Sequence, residues 1–343
     1  MKQITLPFAF DAHVHLRDGE MLQVVAPLTA KYFSGAIVMP NLIPAVRTLD
    51  HAREYRKRIM STIEQKTLFD PLMTFKIYPD TTLTTIGNFI DGKTLRPIVV
   101  AGKVYPKGLT TNAQDGVEDY SALFPLFATM EELKLVLCLH GEKPGNGIEG
   151  MDREERFLRT LFFIARTFPR LKIVMEHITT EAAVDAILQL PENVAATITA
   201  HHLVITHDDV GGDRMRPHNF CKPVAKRASD RAALIEAAIS GCPKFFFGSD
   251  SAPHPRDKKE CSECCAGVFT APIALPLLAQ IFDKHNALDR LASFVGNFAE
   301  TFYGAHRIEK PVNLVQESMI VPQEYCGIVP FLAGEELSWR IRD

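Results

Sequence analysis

The sequence lacks an apolar run long enough to cross a bilayer. Its most apolar stretch, roughly 268–282, contains Pro272 and Pro276 and falls short of the ~20 residues that a membrane helix needs. It also lacks an excess of either charge. Against 38 Lys and Arg stand 41 Asp and Glu, a formal net charge of −3, which gives no electrostatic case for nucleic acid or an anionic membrane as partner. Any anion handled here has to be bound locally. The cysteines number seven, and an odd count in a chain able to bury a large core does not suggest a disulfide framework. The first residues offer one early lysine, then Pro7 and Asp11, without the apolar core and small-residue cleavage site of a signal peptide. A cytoplasmic location is the expectation. There is no internal repeat, low-complexity tract or long linker, and no glycine-rich phosphate fingerprint follows an early strand, which weighs against an open doubly wound sheet.

What the 343 residues do contain is 46% hydrophobic and 23% charged side chains, ordinary for a packed protein. Short apolar runs recur at 8–16, 35–40, 72–78, 98–105, 134–140, 171–177, 194–199 and 244–249. Several are rich in Val, Ile and Phe without strict polar alternation, the pattern of parallel strands buried on both faces. Amphipathic stretches lie between them, at 49–63, 120–133, 152–168 and 229–240, with Asp152 and Thr180 placed to cap the helices that follow them. Eight strands alternating with helices predict a (β/α)8 barrel of the TIM type, which occupies ~250 residues. The expectation is one domain over 1–343, with a barrel core at about 8–306 and a C-terminal extension at about 307–343.

The unusual residues fall at strand ends. His13 and His15 close the first run, Asn41 follows the second, Lys103 closes the fourth, His140 the fifth and His177 the sixth, and Asp250 follows the eighth. In a barrel these positions converge on the C-terminal mouth, where barrel enzymes place their chemistry. Residues two apart on a strand face the same side, so His13 and His15 can hold one metal ion, unless the pair is a chance surface feature. Neutral imidazole is a usual ligand for zinc, although His140 or His177 alone would also suit a hydrogen-bonded structural role. Asp250, directly after Phe245, Phe246 and Phe247 within two residues of Gly248 and Ser249, needs a partner: a helix cap, a salt bridge, or a metal. Buried Lys103 would have a depressed pKa. As a neutral amine it could take up carbon dioxide as a carbamate, or it could snorkel or pair with an acid.

The segments Asp11-Ala12-His13-Val14-His15-Leu16-Arg17-Asp18, Val38-Met39-Pro40-Asn41, Gly102-Lys103-Val104-Tyr105-Pro106, Leu139-His140-Gly141-Glu142, Glu176-His177-Ile178-Thr179 and Gly248-Ser249-Asp250-Ser251-Ala252-Pro253-His254, in this order, resemble the dihydroorotases of the amidohydrolase superfamily. Pro330-Phe331-Leu332-Ala333-Gly334-Glu335 is also similar, and the likeness to the compact bacterial type covers nearly the whole chain. The resemblance implies a zinc-dependent hydrolase of de novo pyrimidine biosynthesis that opens the ring amide of L-dihydroorotate reversibly to N-carbamoyl-L-aspartate. It implies two Zn2+ per chain: His13 and His15 on the more buried ion, His140 and His177 on the more exposed one, N6-carboxylated Lys103 and a hydroxide bridging both, and Asp250 as ligand and proton shuttle. Arg17, Asn41 and His254 would hold the substrate carboxylate, the main chain near Lys222 and Ala266 would contact the ring, and Thr110 and Thr111 would lie on a mobile loop that closes over it. A homodimer is expected from the family alone. Two departures stand out: Pro106-Lys107-Gly108-Leu109-Thr110-Thr111 is more basic and glycine-containing than the family's loop, and Lys222 replaces an apolar residue.

Two rival readings remain at this point: another cyclic-amide hydrolase, such as a hydantoinase or dihydropyrimidinase, and a catalytically inactive barrel serving as an assembly scaffold. Cys261-Ser262-Glu263-Cys264-Cys265 looks like half a zinc site with Cys221 as a possible fourth ligand, but its spacing fits a structural zinc motif poorly, and incidental thiols are the preferred reading. His201, His202 and His207 follow the seventh run and receive no assigned chemistry. The basic cluster Arg256, Lys258 and Lys259 reads as a solvated face.

Overall fold

The computed structural model describes residues 2–87, 97–110 and 113–342. A short first strand, β1 (Gln3–Leu6), precedes eight strands that form one parallel sheet in sequence order: β2 (Phe10–Val14), β3 (Gly35–Val38), β4 (Asp70–Ile77), β5 (Val99–Val104), β6 (Val136–His140), β7 (Ile173–Glu176), β8 (Val194–Ile198) and β9 (Phe245–Phe247). Each lies within or beside one of the eight apolar runs read from the sequence. Helices such as Leu49–Ser61, Phe124–Glu132, Arg153–Thr167, Glu181–Gln189 and Ala228–Ile239 connect them. Thr180 caps its helix as expected: its backbone is extended and its hydroxyl accepts from the Ala183 amide at 3.1 Å. Asp152 does not. Its φ of −102° and ψ of −11° are already helical, so its carboxylate does not reach back over the first turn.

The strands sort their side chains into two layers. Leu137 and Leu139 of β6 belong to the large cluster shared with the helices, whereas Val136 and Cys138 join Ala101, Val174, Ala195 and Phe246 in a smaller cluster. With a side-chain period of two, the next positions in that inner set are Lys103, His140, Glu176 and Thr197. A small apolar plug therefore gives way to polar groups at the C-terminal end. On β2 the pairing register with β3 shifts between Asp11 and Val14. Such a bulge re-aims side chains, so His13 can face inward although Ala12 packs in the inner cluster too.

The barrel closes between its first and last strands through backbone bonds. The Asp250 amide donates to the His13 carbonyl at 2.8 Å, and the His15 amide donates to the Ser251 carbonyl at 3.1 Å. The Asp11 carboxylate stitches the same seam, accepting from the Ser249 amide at 2.8 Å and the His13 amide at 3.1 Å. A Cβ at Gly248 would stand 2.9 Å from the Cβ of His13 and 2.8 Å from the Thr197 methyl, so the two strands approach this closely only with glycine there.

The chain ends meet outside the barrel. β10 (Val312–Val315) runs antiparallel between β1 and β13 (Arg340–Arg342), and β11 (Met319–Ile320) pairs with β12 (Glu336–Leu337). Trp339 is fully buried, and its indole N–H donates to Asp283 at 3.3 Å, the carboxylate that also takes the Lys2 ammonium at 2.5 Å. Trp339→Ala should lower the stability of the whole chain by about 3–5 kcal/mol, read as a shifted denaturation midpoint of the barrel's far-UV signal. An unchanged midpoint would show that the extension is not part of the barrel's cooperative unit.

Candidate active site

At the C-terminal mouth the sheet brings together side chains that are far apart in sequence. His13, His15, Arg17, Asn41, Thr110, His140, His177, Lys222, Asp250 and Ala266 all line one small cleft, with Tyr105 beside them. Lys103 lies buried at its base and His254 stands behind Arg17. Thr111 lies outside the described residues.

The three groups at the seam converge most tightly. Asp250 has one carboxylate oxygen 3.3 Å from His13 Nε2 and 3.3 Å from His15 Nε2, and the ligand atoms of all three lie within 4.8 Å of one another. The His177 ring centre is 5.2 Å from that of His13 and 4.7 Å from that of His140. Two carboxylates set the imidazoles from behind. Glu176 accepts from His13 Nδ1 at 2.8 Å and Glu142 from His140 Nε2 at 2.6 Å, which turns Nε2 of His13 and Nδ1 of His140 away from these carboxylates. Carboxylates in this position fix the tautomer and ring orientation of metal-ligating histidines. Glu176 is itself held by the Thr197 hydroxyl at 2.7 Å, whose oxygen also accepts from the His177 amide at 2.6 Å.

Three of these residues adopt left-handed backbone: Arg17 at φ 59°, His177 at φ 42° and Asp250 at φ 41°. Non-glycine residues held there are strained, and such strain clusters at functional sites. The conformation has a use at His177. Adjacent strand residues point to opposite faces, yet Glu176 and His177 both serve the centre, because the chain turns between them. Glu154 holds that turn. Fully buried, it accepts from the amides and hydroxyls of both Thr179 and Thr180 at 2.7–2.9 Å.

Burial and neighbours set the charges. Burial pushes the pKa of His15 down to about 4 and takes His140 and His177 below the usual histidine range. His13 moves the other way despite its burial, because Glu176 faces it. Asp250 is held well below the ordinary carboxylate range despite its burial, by the bonds from His13 and His15. Lys103 is fully buried, its pKa is lowered by desolvation, and its Nζ has no hydrogen-bond partner among the described residues.

At the rim, Arg17 is anchored by Nε to the Pro253 carbonyl at 2.9 Å. His254 Nε2 lies 3.0 Å from the Arg17 guanidinium and 3.1 Å from the Ala266 carbonyl. Burial and the Arg17 charge bring the His254 pKa down to about 3, and a neutral ring can serve only one of those two partners at a time. Lys259 corrects the solvated-face reading. It is 2% exposed and donates to the carbonyls of Phe220, Cys265 and Gly267 at 3.0, 2.8 and 2.7 Å. It ties together the two segments that carry Lys222 and Ala266. Gly267, at φ 151°, passes so close to Ala252 that a Cβ would stand 2.3 Å from its carbonyl oxygen.

Sequence reasoning used Asp11, Glu142 and Glu176 only as motif neighbours, and it did not single out Glu154 and Thr197. For Asp11, Glu142, Glu176 and Thr197 a signal existed, since each is a polar side chain inside or beside an apolar run, where it must find a partner; Glu154, in the charged first turn of a helix, carried none. The cysteine reading holds in that all seven are free and Cys261 is exposed. Cys221, however, stands against His202 rather than with the 261–265 cluster.

An eight-stranded parallel barrel with four imidazoles, a lysine and an aspartate gathered at its C-terminal mouth defines the amidohydrolase class of metal-dependent hydrolases. No protein-family model matches the chain, but individual proteins do. It is 44% identical to a dihydroorotase of Shewanella pealeana, covering all of this chain and 99% of that one. Among solved structures, a dihydroorotase of Saccharomyces cerevisiae in complex with 5-fluoroorotic acid superposes with a TM-score of 0.92 at 40% identity, covering 100% of this chain and 99% of that one. One from Campylobacter jejuni superposes with a TM-score of 0.89 at 39% identity, covering 99% and 98%. The chain belongs to the dihydroorotase family, whose members are hydrolases of a cyclic amide.

Glu154→Ala should cost about 3–5 kcal/mol, because it strands several buried donors of Thr179 and Thr180, and it should release the His177 turn. Chemical denaturation measures the first effect, and metal content of the folded fraction the second. A variant with wild-type stability would remove Glu154 from the role of clamp.

Proposed function

We propose that this chain hydrolyses L-dihydroorotate reversibly to N-carbamoyl-L-aspartate, as a cytoplasmic enzyme of pyrimidine biosynthesis, with two zinc ions at the mouth of the barrel. The observation that carries this reading is the Lys103 amine, buried and without a hydrogen-bond partner among the described residues, within electrostatic reach of Glu176 and Asp250. An isolated buried ammonium is very costly. A neutral amine that takes up carbon dioxide and releases a proton becomes a carbamate, an anion suited to lie between two cations. Proposed ligands are His13, His15, His140, His177, carboxylated Lys103 and Asp250. The donor set fits: four imidazoles, three of them kept neutral by burial and two oriented by carboxylates, plus oxygen anions. When bound, the metal ions would acidify a water and polarise the amide carbonyl.

The protein's own groups do the rest. Asp250, held ionised, accepts a proton from the attacking water and delivers it to the ring nitrogen as the C–N bond breaks. The carbonyl carbon gains the hydroxyl, the nitrogen gains the proton, and the new carboxyl group becomes the product's second carboxylate by releasing its proton to solvent. Arg17, pinned through Nε to Pro253, presents the remaining edge of a planar fork to the substrate carboxylate. Asn41 and His254 would help to hold that carboxylate, the main chain near Lys222 and Ala266 would contact the ring, and Thr110 lines the same cleft. Family membership is the ground for expecting a homodimer.

The rim favours an anionic substrate over the uncharged rings that a hydantoinase or dihydropyrimidinase accepts. An inactive scaffold would have no need of six intact ligand candidates. Turnover of L-dihydroorotate well above that of dihydrouracil is the expected result, and the reverse preference would overturn the assignment. Lys103→Ala should lose most bound metal and turnover, with partial rescue by a small carboxylic acid. Normal metal content in that variant would refute the bridging role. Asp250→Asn should lose at least ~100-fold in turnover, and near wild-type rates would remove Asp250 from proton transfer.

A further inference from the structure

The loop that follows β8 gathers a second set of metal-binding donors that the chemistry at the mouth does not use. We propose that His201, His202 and Cys221 form an accessory site for one thiophilic divalent cation of the zinc type, separate from the centre at the barrel mouth.

The three side chains are 0%, 2% and 1% exposed, and one ligand atom from each lies within 4.8 Å of the other two. Cys221 Sγ is 3.4 Å from His202 Nε2. Zinc bonds of about 2.3 Å to sulfur and about 2.0 Å to nitrogen, at a tetrahedral angle, put the two donors about 3.5 Å apart, so this edge is already at coordination spacing. His202 is oriented from behind, as ligating imidazoles are. The Thr199 hydroxyl oxygen is 2.9 Å from Nδ1 and also accepts from the His202 amide at 3.1 Å. With Nδ1 donating to Thr199, the lone pair of Nε2 faces the sulfur.

His201 supplies the independent observation. It is completely buried, its ring packs 4.4 Å from that of His202 and edge-on to Phe331, and neither of its ring nitrogens has a hydrogen-bond partner among the described residues. Buried polar groups are almost always paired, and an imidazole buried with both nitrogens idle has no structural use for them. A cation beside Nε2 of His202 gives one of them a partner.

Two imidazole nitrogens and a sulfur suit zinc among the common divalent ions, and disfavour magnesium or calcium. The Pro223 carbonyl, 3.2 Å from His202 Nε2 and 3.3 Å from Cys221 Sγ, is the nearest fourth donor. Burial keeps both histidines neutral and ready to ligate, while it pushes the Cys221 thiol up to about 12. Forming the S–metal bond therefore releases the thiol proton to solvent. The exposed Cys261 takes no part. Because Lys222 lines the substrate cleft, an ion on Cys221 would fasten that wall to the loop after β8.

The test counts ions on the metal-loaded enzyme after equilibration with buffered Zn2+. Wild type should hold one more ion per chain than either His201→Gln or Cys221→Ser, with turnover of His201→Gln within about twofold of wild type. This difference does not depend on how many ions the mouth holds, nor on which substrate is turned over. A second readout is spectroscopic: Co2+ added to the wild type should produce a thiolate-to-metal charge-transfer band in the near ultraviolet, absent from Cys221→Ser. Equal metal content in wild type and both variants, or a Co2+ complex without that band, would reduce the cluster to a hydrogen-bonded piece of the core.

Discussion

The structure depends on how the barrel closes. β9 is three residues long, and what completes the circle is the pair of backbone bonds from Asp250 to His13 and from His15 to Ser251. The same short segments carry three of the proposed metal ligands. Closing the sheet and assembling the centre are therefore one event. A register slip at this seam by a single residue would turn His13 and His15 away from the mouth, since side chains alternate along a strand. The Asp11 carboxylate, which grips amides from both strands, guards against that slip. Burial pushes its pKa up to about 6 despite those bonds, so the fold accepts an expensive charge at the place where register matters most.

A second layer translates the seam into chemistry. Glu176 and Glu142 decide which nitrogen of His13 and His140 faces the centre, and Thr197 holds both Glu176 and the His177 amide. Glu154, reaching across from the helix after β6, keeps the left-handed turn at His177 in place. These groups touch no reacting atom. They convert a ring of strand ends into a set of lone pairs aimed at common points, which loops without a rigid scaffold do less well.

Much of this was legible in the sequence, for a physical reason. Strands buried on both faces of a barrel read as plain apolar runs, and all eight could be placed within a few residues. Their ends were marked by His, Lys and Asp, residues that apolar neighbours make conspicuous. The short strands β1, β10 and β13 left no such trace. They are edge or half-exposed pieces whose pairing joins residues some 300 positions apart, as Gln3 opposite Val315 shows. Lys259 was misjudged because a run of basic residues says nothing of which ammonium turns inward to meet three carbonyls. The supporting carboxylates escaped assignment for a similar cause: Glu176 announces a need for a partner, but only folding brings His13, 163 positions away, to meet it.

The electrostatic balance at the mouth points the same way as the geometry. Asp11, Glu142, Glu176 and Asp250 are all buried there, and the cationic groups that act on them are Lys103, whose charge burial disfavours, His13, whose charge Glu176 supports, Arg17 beside Asp250, and Lys226 and Arg153 near Glu142. Interiors tolerate unbalanced charge poorly, and burial takes the charge off His15, His140 and His177, so these three imidazoles do not themselves balance the carboxylates around them. Cations bound at this point would stabilise the native state by mass action, about 2.7 kcal/mol for an ion present at 100 times its dissociation constant. That stabilisation would fall on the seam that closes the barrel. The acidity required for catalysis and added counter-charge for these carboxylates would then be supplied by the same ions.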